Sequence, residues 1–537
     1  MVTVRQYPVD QQQHGFSIVE AHAALTWLPC ERSPGLASPR QLVAPEQDRY
    51  ALTMSSAPDS NHSSPANIVE HPRLDPALGL FSVIAIVVGE VIGSGIFFKP
   101  QEVARYTEGF VGLILALWIA CGLVNLCGAL AMAELSSMFP HAGGTYVFLR
   151  ETYGRLWSFM WAWAEFWVIR TGAIAALAAY TATALETILT NPRFKLVDAD
   201  FSFVAGQQKT IAVGTIAMLA GINIMGTRWG GGLQNVATII KTGFVAFLAM
   251  LPFVAVGSEP FELGALWPQR IDQGLVVGIG TALAAIMWAY DGWGNVTVIA
   301  EEVRNPERYV PIALISGVLI LIALYAGANL AYHLTLPSSE IVKYACPAIP
   351  VCEQLLGSSG AKLMQAMLLV SLFGALNVNI LVGPRVLFAV ARDHQSLRRL
   401  SRIHPTTRTP AWAIAMMSAW ACLLILTSGL SWEPQRPLFD ILTEWTVFGG
   451  SIFYFSAVVA VFILRRRSPD VPRPYRTWGY PWVPLVFLTF YVFLLASMYW
   501  AQPRDRMVGL LLIGIGAIAY RFLCRPESAS QAQPPAA

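Results

Sequence analysis

Charge is scarce in this sequence. Asp, Glu, Lys and Arg make up 13% of its 537 residues, against roughly 25% in an ordinary soluble domain. So few charges cannot cover the surface of a water-soluble globule of this length, which excludes a soluble multidomain protein. The formal net charge is only +3, and no basic patch is interleaved with exposed aromatics, so no nucleic-acid partner is expected. Neither the His-Glu-x-x-His pattern of a metalloprotease nor a phosphate-binding P-loop is present. The eight His include His14, His22, His62 and His71, all near the start of the chain. The seven Cys form no Cys-x-x-Cys and share no zinc-ligand spacing with His. No catalytic group, metal site or cofactor is therefore expected. The opening segment, MVTVRQYPVDQQQHG, lacks the apolar core of a signal peptide.

What is abundant is apolar sequence: hydrophobic residues reach 55% and mean hydropathy is +0.52. From Leu78 onward, apolar runs recur, each long enough to cross the ~30 Å hydrocarbon core, which takes about 20 residues. Their pattern predicts helices at 78–98, 109–138, 156–189, 210–226, 232–256, 273–300, 310–335, 363–392, 411–430, 438–464, 481–500 and 507–524. The runs are continuously apolar, whereas barrel strands would alternate. The expectation is an all-α integral membrane protein with about 12 spans. Residues 1–73 and 526–537 read as disordered tails around a transmembrane domain at 74–525. A second reading of the first segment, that translation begins at Met54, stays open. An even count puts both termini on one side. Arg150, Arg155, Arg228, Arg304, Arg308, Arg385, Arg392 and the Arg465–Arg467 cluster lie on that side, which the positive-inside rule makes cytoplasmic. Cys121, Cys127 and Cys422 lie in apolar runs as packing residues. Cys346 and Cys352 share a loop and would pair if it faced an oxidising compartment.

Two of the spans are poor helices. The first contains Gly93-Ser94-Gly95 in mid-membrane, and each Gly costs about 1 kcal/mol in a helix interior. Unwinding is one reading; close packing through the Gly89/Gly93 pair is the other. The sixth contains Asp291-Gly292-Trp293-Gly294-Asn295. Asp291 lies about ten residues, or ~15 Å, from the charged exit at Glu301-Glu302. An aspartate at that depth needs a polar partner or a wet cavity. The breaks open two groups of five spans, and an odd number per group inverts the second. Interrupted helices at matching positions of inverted repeats point to a transport site. One break offers N–H donors for a carboxylate, the other carbonyls for an ammonium. Together they fit an α-amino acid.

Val91-Ile-Gly-Ser-Gly-Ile-Phe97 and Ala289-Tyr-Asp-Gly-Trp293 resemble signatures of amino acid permeases of the APC superfamily, above all the L-type amino acid transporter group and its bacterial relatives. Ala133-Glu134-Leu135, Gly143-Gly144-Thr145-Tyr146, Glu301-Glu302 through Pro311, and Arg473-Pro474-Tyr475 extend the resemblance over about 75–524. It implies a LeuT-like fold of two inverted five-helix repeats with discontinuous helices one and six, plus two further helices. It further implies that the substrate carboxylate meets N–H groups of Ser94 and Gly95, with Gly93 allowing the turn. The ammonium would meet carbonyls of Val91, Trp288 and Asp291, Ala289 completing the set. Trp288 would be an aromatic gate, where the family more often has Phe; Gly294 stands where it usually has Asn.

Lys241 lies about 14 Å inside the fifth span, too deep for ordinary snorkelling. The resemblance implies that it stands where sodium-coupled relatives hold sodium, joining helix one to helix eight and making transport sodium-independent. Glu165 and Arg170 are read as a pair or as cavity-lining residues, and Glu90 stays open. Asn377 and Asn379 read equally as interhelical bonds or pathway groups. No acidic side chain is assigned to a cationic substrate, so neutral L-amino acids are expected, carried by exchange or proton symport in the cytoplasmic membrane. Animal L-type transporters join a heavy chain through a Cys in the loop after helix three; Thr190–Lys209 has none, so no disulfide-linked partner is expected. The competing readings are a non-transporting amino acid receptor with the same site and, more remotely, an intramembrane enzyme.

Overall fold

The computed structural model describes residues 74–190, 206–255, 264–427 and 438–524. The expected tails, and most of the loop between Thr190 and Lys209, lie outside the described residues. Among the described residues there is no strand, and one isolated bridge pairs Leu78 with Val303. Among the described residues, ten helices are long and apolar enough to cross a membrane, from Leu80–Tyr106 to Arg506–Leu523. The expected fourth and ninth spans are also helices, Gly206–Ile224 and Ala411–Thr427. They fall outside that set because the first opens on Gln-Gln-Lys-Thr and the second has 17 residues. With these two included, the described helices are numbered in chain order as spans one to twelve.

The spans sort into a core and a shell. The most apolar window of span three is 89% buried, whereas that of span twelve is 17% buried. Span one is enclosed by spans five, six, seven and eight. Small residues allow these crossings: a methyl at Gly317 of span seven would collide with Val87 of span one. The long third and eighth spans are both irregular. Span three, Arg155–Thr190, carries one π turn at Glu165–Ile169. Span eight divides at Gly383 into Ser358–Val382 and Pro384–Asp393, because Pro384 has no N–H to continue the ladder.

Segments remote in sequence meet around charged groups. Glu134, at the end of span two, accepts from Arg465 at 2.9 and 2.6 Å and from the Thr477 N–H at 2.7 Å. The Gly143 N–H donates to the Val298 carbonyl at 2.9 Å, docking the Gly-Gly-Thr-Tyr segment on span six. Beside it, Asp393 accepts from Tyr146 at 2.7 Å and from Arg150 at 2.7 and 2.8 Å. Burial, reinforced by that carboxylate, pushes the Tyr146 hydroxyl up. Cys346 and Cys352 are free, buried thiols rather than a disulfide. Burial pushes each of them up to about 12.

Candidate functional site

Span one breaks between Leu80–Val91 and Gly95–Tyr106. The cause is a tight turn at Ile92, with φ −72 and ψ 81, close to the inverse γ conformation. The Gly93 N–H turns back to the Val91 carbonyl at 2.8 Å instead of reaching Gly89. The turn expected at Gly93 therefore falls on Ile92, and Gly93 has no left-handed φ. Gly89, not Gly93, is the close-packing glycine: a methyl there would strike Thr238 and Gln234, while one at Gly93 would make ordinary 3.4 Å contact with Ala375.

The break orphans carbonyls, and neighbouring spans fill them. Lys241 Nζ, 1% exposed, donates to the Gly89 carbonyl that Gly93 has abandoned. It lies against Gly374 of span eight. Tyr325 Oη of span seven is 2.8 Å from the Val91 carbonyl and 3.0 Å from that of Ala289, joining the two breaks. Ser371 Oγ reaches the carbonyls of Ile92 and Gly93 at 3.1 and 3.0 Å. What remains is a set of donors: the second half-helix starts at Gly95, and its first N–H groups have no carbonyl one turn back. Gly93, Ser94 and Gly95 line the cavity they face.

Span six breaks differently. Gln273–Tyr290 ends, Asp291 is extended, and a 3-10 helix runs over Trp293–Glu302. Gly292 is left-handed at φ 109, and a methyl there would lie 2.9 Å from Glu90 Cγ. Only glycine satisfies both conditions. The halves of spans one and six also touch: a methyl on Gly95 would sit 2.5 Å from Ala289 Cα. The end of Gln273–Tyr290 presents carbonyls. Of those expected to take the ammonium, Trp288 accepts from the Asp291 N–H at 3.2 Å, and Val91 already holds Gly93 and Tyr325.

Between the breaks lies a cavity with about 540 Å³ of atom-free space, its mouth included. Its polar wall is organised by Arg170, 3% exposed. In an α-helix, residues five apart point about 140° apart and do not pair. The π turn, with its Arg170 N–H to Glu165 carbonyl bond, brings the two side chains together. Arg170 Nε and Nη2 donate to the two oxygens of Glu165 at 3.0 and 3.3 Å. Its Nη1 donates to Glu90 Oε1 and to Asn379 Oδ1, each at 2.9 Å. Asn295 Nδ2 adds a 2.6 Å bond to Glu90 Oε1. Spans one, three, six and eight thus share one ion cluster. Asn379 belongs to the cavity, whereas Asn377 bonds Asn223, Gly230 and Gln234 and ties spans four, five and eight.

The roles of Tyr325 and Ser371 are not evident from sequence; a buried hydroxyl in an apolar run is the signal, since it must find a partner. A second cluster seals the Leu78 end of the two broken spans. Leu78 exchanges 2.9 Å backbone bonds with Glu302 and Arg304. Arg385, fully buried, donates to both Glu302 oxygens at 2.8 and 3.1 Å, and Arg392 to both of Glu301 at 2.7 and 2.8 Å. Their spacing of seven residues, two helical turns, is legible as one face.

Two interrupted helices that meet across a polar cavity, inside a bundle of apolar spans, are the architecture of a helical membrane transporter. A family profile described as amino acid permease matches residues 78–518. The chain belongs to the amino acid permease family of the APC superfamily, whose members are transporters rather than enzymes. It is similar to the serine/threonine exchanger SteT of Bacillus subtilis (strain 168), 33% identical over 465 residues, covering 86% of this chain and 99% of that protein. The human b(0,+)-type amino acid transporter 1 is 27% identical over 456 residues, 84% of this chain and 88% of its own. The human large neutral amino acids transporter small subunit 2 is 28% identical over 458 residues, with 83% and 80% covered.

Proposed function

We propose that this protein carries neutral L-amino acids across the cytoplasmic membrane by alternating access, without sodium. The observation that carries the reading is the facing pair of breaks, donors on one side of the cavity and helix-end carbonyls on the other. In this reading the substrate carboxylate is held by the N–H groups of Ser94 and Gly95. Its ammonium is held by the Trp288 and Asp291 carbonyls, with Val91 and Ala289 positioned by Tyr325. Trp288 closes over the side chain. Neutral rather than acidic substrates are supported by Arg170, whose guanidinium is engaged by Glu165, Glu90 and Asn379. Sodium independence is supported by Lys241, whose ammonium occupies a carbonyl that the break frees. The termini are cytoplasmic, and the chain works without a disulfide-linked heavy chain. The named substrates of the Bacillus subtilis relative make serine and threonine the first to try.

The test is counterflow: purified protein in liposomes preloaded with serine, with labelled serine, threonine and leucine outside, in sodium and in choline medium. Uptake that is equal in the two media and requires internal amino acid or a driving gradient supports the reading. Tight binding without flux would make the protein a receptor, and strong sodium dependence would remove the role given to Lys241.

A further inference from the structure

The cavity holds more acid than base. Glu90, Glu165 and Asp291 line it together with Arg170, and Lys241 sits one residue away on the Gly89 carbonyl. The other polar groups that line the cavity or bond the backbone of span one beside Glu90 are uncharged: Asn295, Asn379 and Tyr454 in the cavity wall, Thr238 on the Ala85 carbonyl and Tyr325 on the Val91 carbonyl. Three carboxylates thus face two cations. A zwitterionic substrate does not change the balance, since its carboxylate and ammonium cancel. Net charge in the middle of a membrane is costly and calls for a counter-ion.

The three carboxylates are not equivalent. Both oxygens of Glu165 accept from Arg170. Asp291 is partly exposed, with Tyr454 beside it. Glu90 is 6% exposed, and only its Oε1 is satisfied. Its Oε2 is buried without a hydrogen-bond partner among the described residues, as is Ser94 Oγ in the same cavity wall. A buried carboxylate oxygen that accepts nothing is an unfavourable place for charge and a suitable place for a hydrogen.

Resting on the amino acid transport reading, we propose that Glu90 carries a proton on Oε2 in the substrate-loaded site, and that this proton crosses the membrane with each neutral amino acid. The proton comes from water on the side the substrate enters. It forms an O–H bond at Oε2 and leaves to water on the other side when the site opens there. The Arg170 and Asn295 bonds are to Oε1, so they persist in both states, and no other bond is made or broken. The loaded cavity is then balanced, and a zwitterion moves with one positive charge.

The experiment uses the full chain in liposomes, with L-serine as the probe. Serine addition should give an inward current on a supported membrane and acidify a dye-filled lumen. An inward proton gradient should concentrate serine about tenfold per pH unit, the ratio that one proton per substrate sets. In Glu90→Gln, whatever flux remains should no longer respond to the gradient, and Glu90→Asp should restore the response. Glu90→Ser replaces the glutamine variant where that fails to reach the membrane. Serine exchange by wild type that is electrically silent and indifferent to the gradient overturns the proposal. So does a gradient response that survives loss of the carboxyl, or uptake of arginine in place of serine plus a proton. Absence of any amino acid flux in wild type would instead take down the transport reading itself.

Discussion

The two breaks look alike in sequence and are built on different physics. The span-one break uses ordinary backbone angles at Ile92 and then saturates its freed carbonyls with Lys241, Tyr325 and Ser371 from three other spans. In the proposed reading it is the donor side. The span-six break depends on one left-handed residue, Gly292, wedged against Glu90. It leaves Trp288, Asp291 and Gly292 lining the cavity at the carbonyl end of Gln273–Tyr290, which the proposed reading makes the acceptor side. In that reading the polarity of the site follows from which end of a helix each break turns toward the cavity.

That contrast predicts unequal tolerance. Gly292→Ala should have the largest effect. A left-handed Ala costs about 1–2 kcal/mol, and its methyl would meet Glu90 Cγ at 2.9 Å. Uptake should be lost and thermal stability in detergent lowered. Gly93→Ala, with ordinary angles and a 3.4 Å contact, should stay near wild type. Equal sensitivity at the two positions would break the comparison.

Next comes Lys241→Ala. It leaves the Gly89 carbonyl buried and unpaired, at ~1–3 kcal/mol. Transport should collapse while surface expression holds; near-normal uptake would make Lys241 a packing residue. Tyr325→Phe should be milder. It removes one shared hydrogen bond, about 1 kcal/mol, or about a fivefold loss of apparent affinity. No change would mean that the two breaks are held together by packing alone. The smallest effect is expected at Trp288. Trp288→Ala should slow transport and shift preference toward larger side chains, read from competition by serine, leucine and phenylalanine; an unchanged order would place the side-chain pocket elsewhere.

The spans were legible because apolar length is a direct requirement of the bilayer. The breaks were legible because Gly, Ser and Asp are poor choices in mid-membrane, as at Gly93-Ser94-Gly95 and Asp291-Gly292. The partners were not. Glu165 and Arg170 stand five apart, a spacing that pairs only across a π turn, and nothing local in the sequence announces that turn. Tyr325 and Ser371 lie in apolar runs where they read as packing. Val91 was expected to offer its carbonyl to the substrate, yet Gly93 and Tyr325 occupy it. Glu301-Glu302 read as a charged exit, whereas their bonds to Arg385 and Arg392 fasten one end of both broken spans to span eight.

The central claim is that the donor end of the span-one break binds the α-carboxylate. Competition against labelled serine by serine and by serine methyl ester tests it most directly, since the ester keeps the ammonium and side chain but has no carboxylate. The account predicts at least tenfold weaker competition by the ester, about 1.4 kcal/mol or more. Equal potency of the two would contradict it.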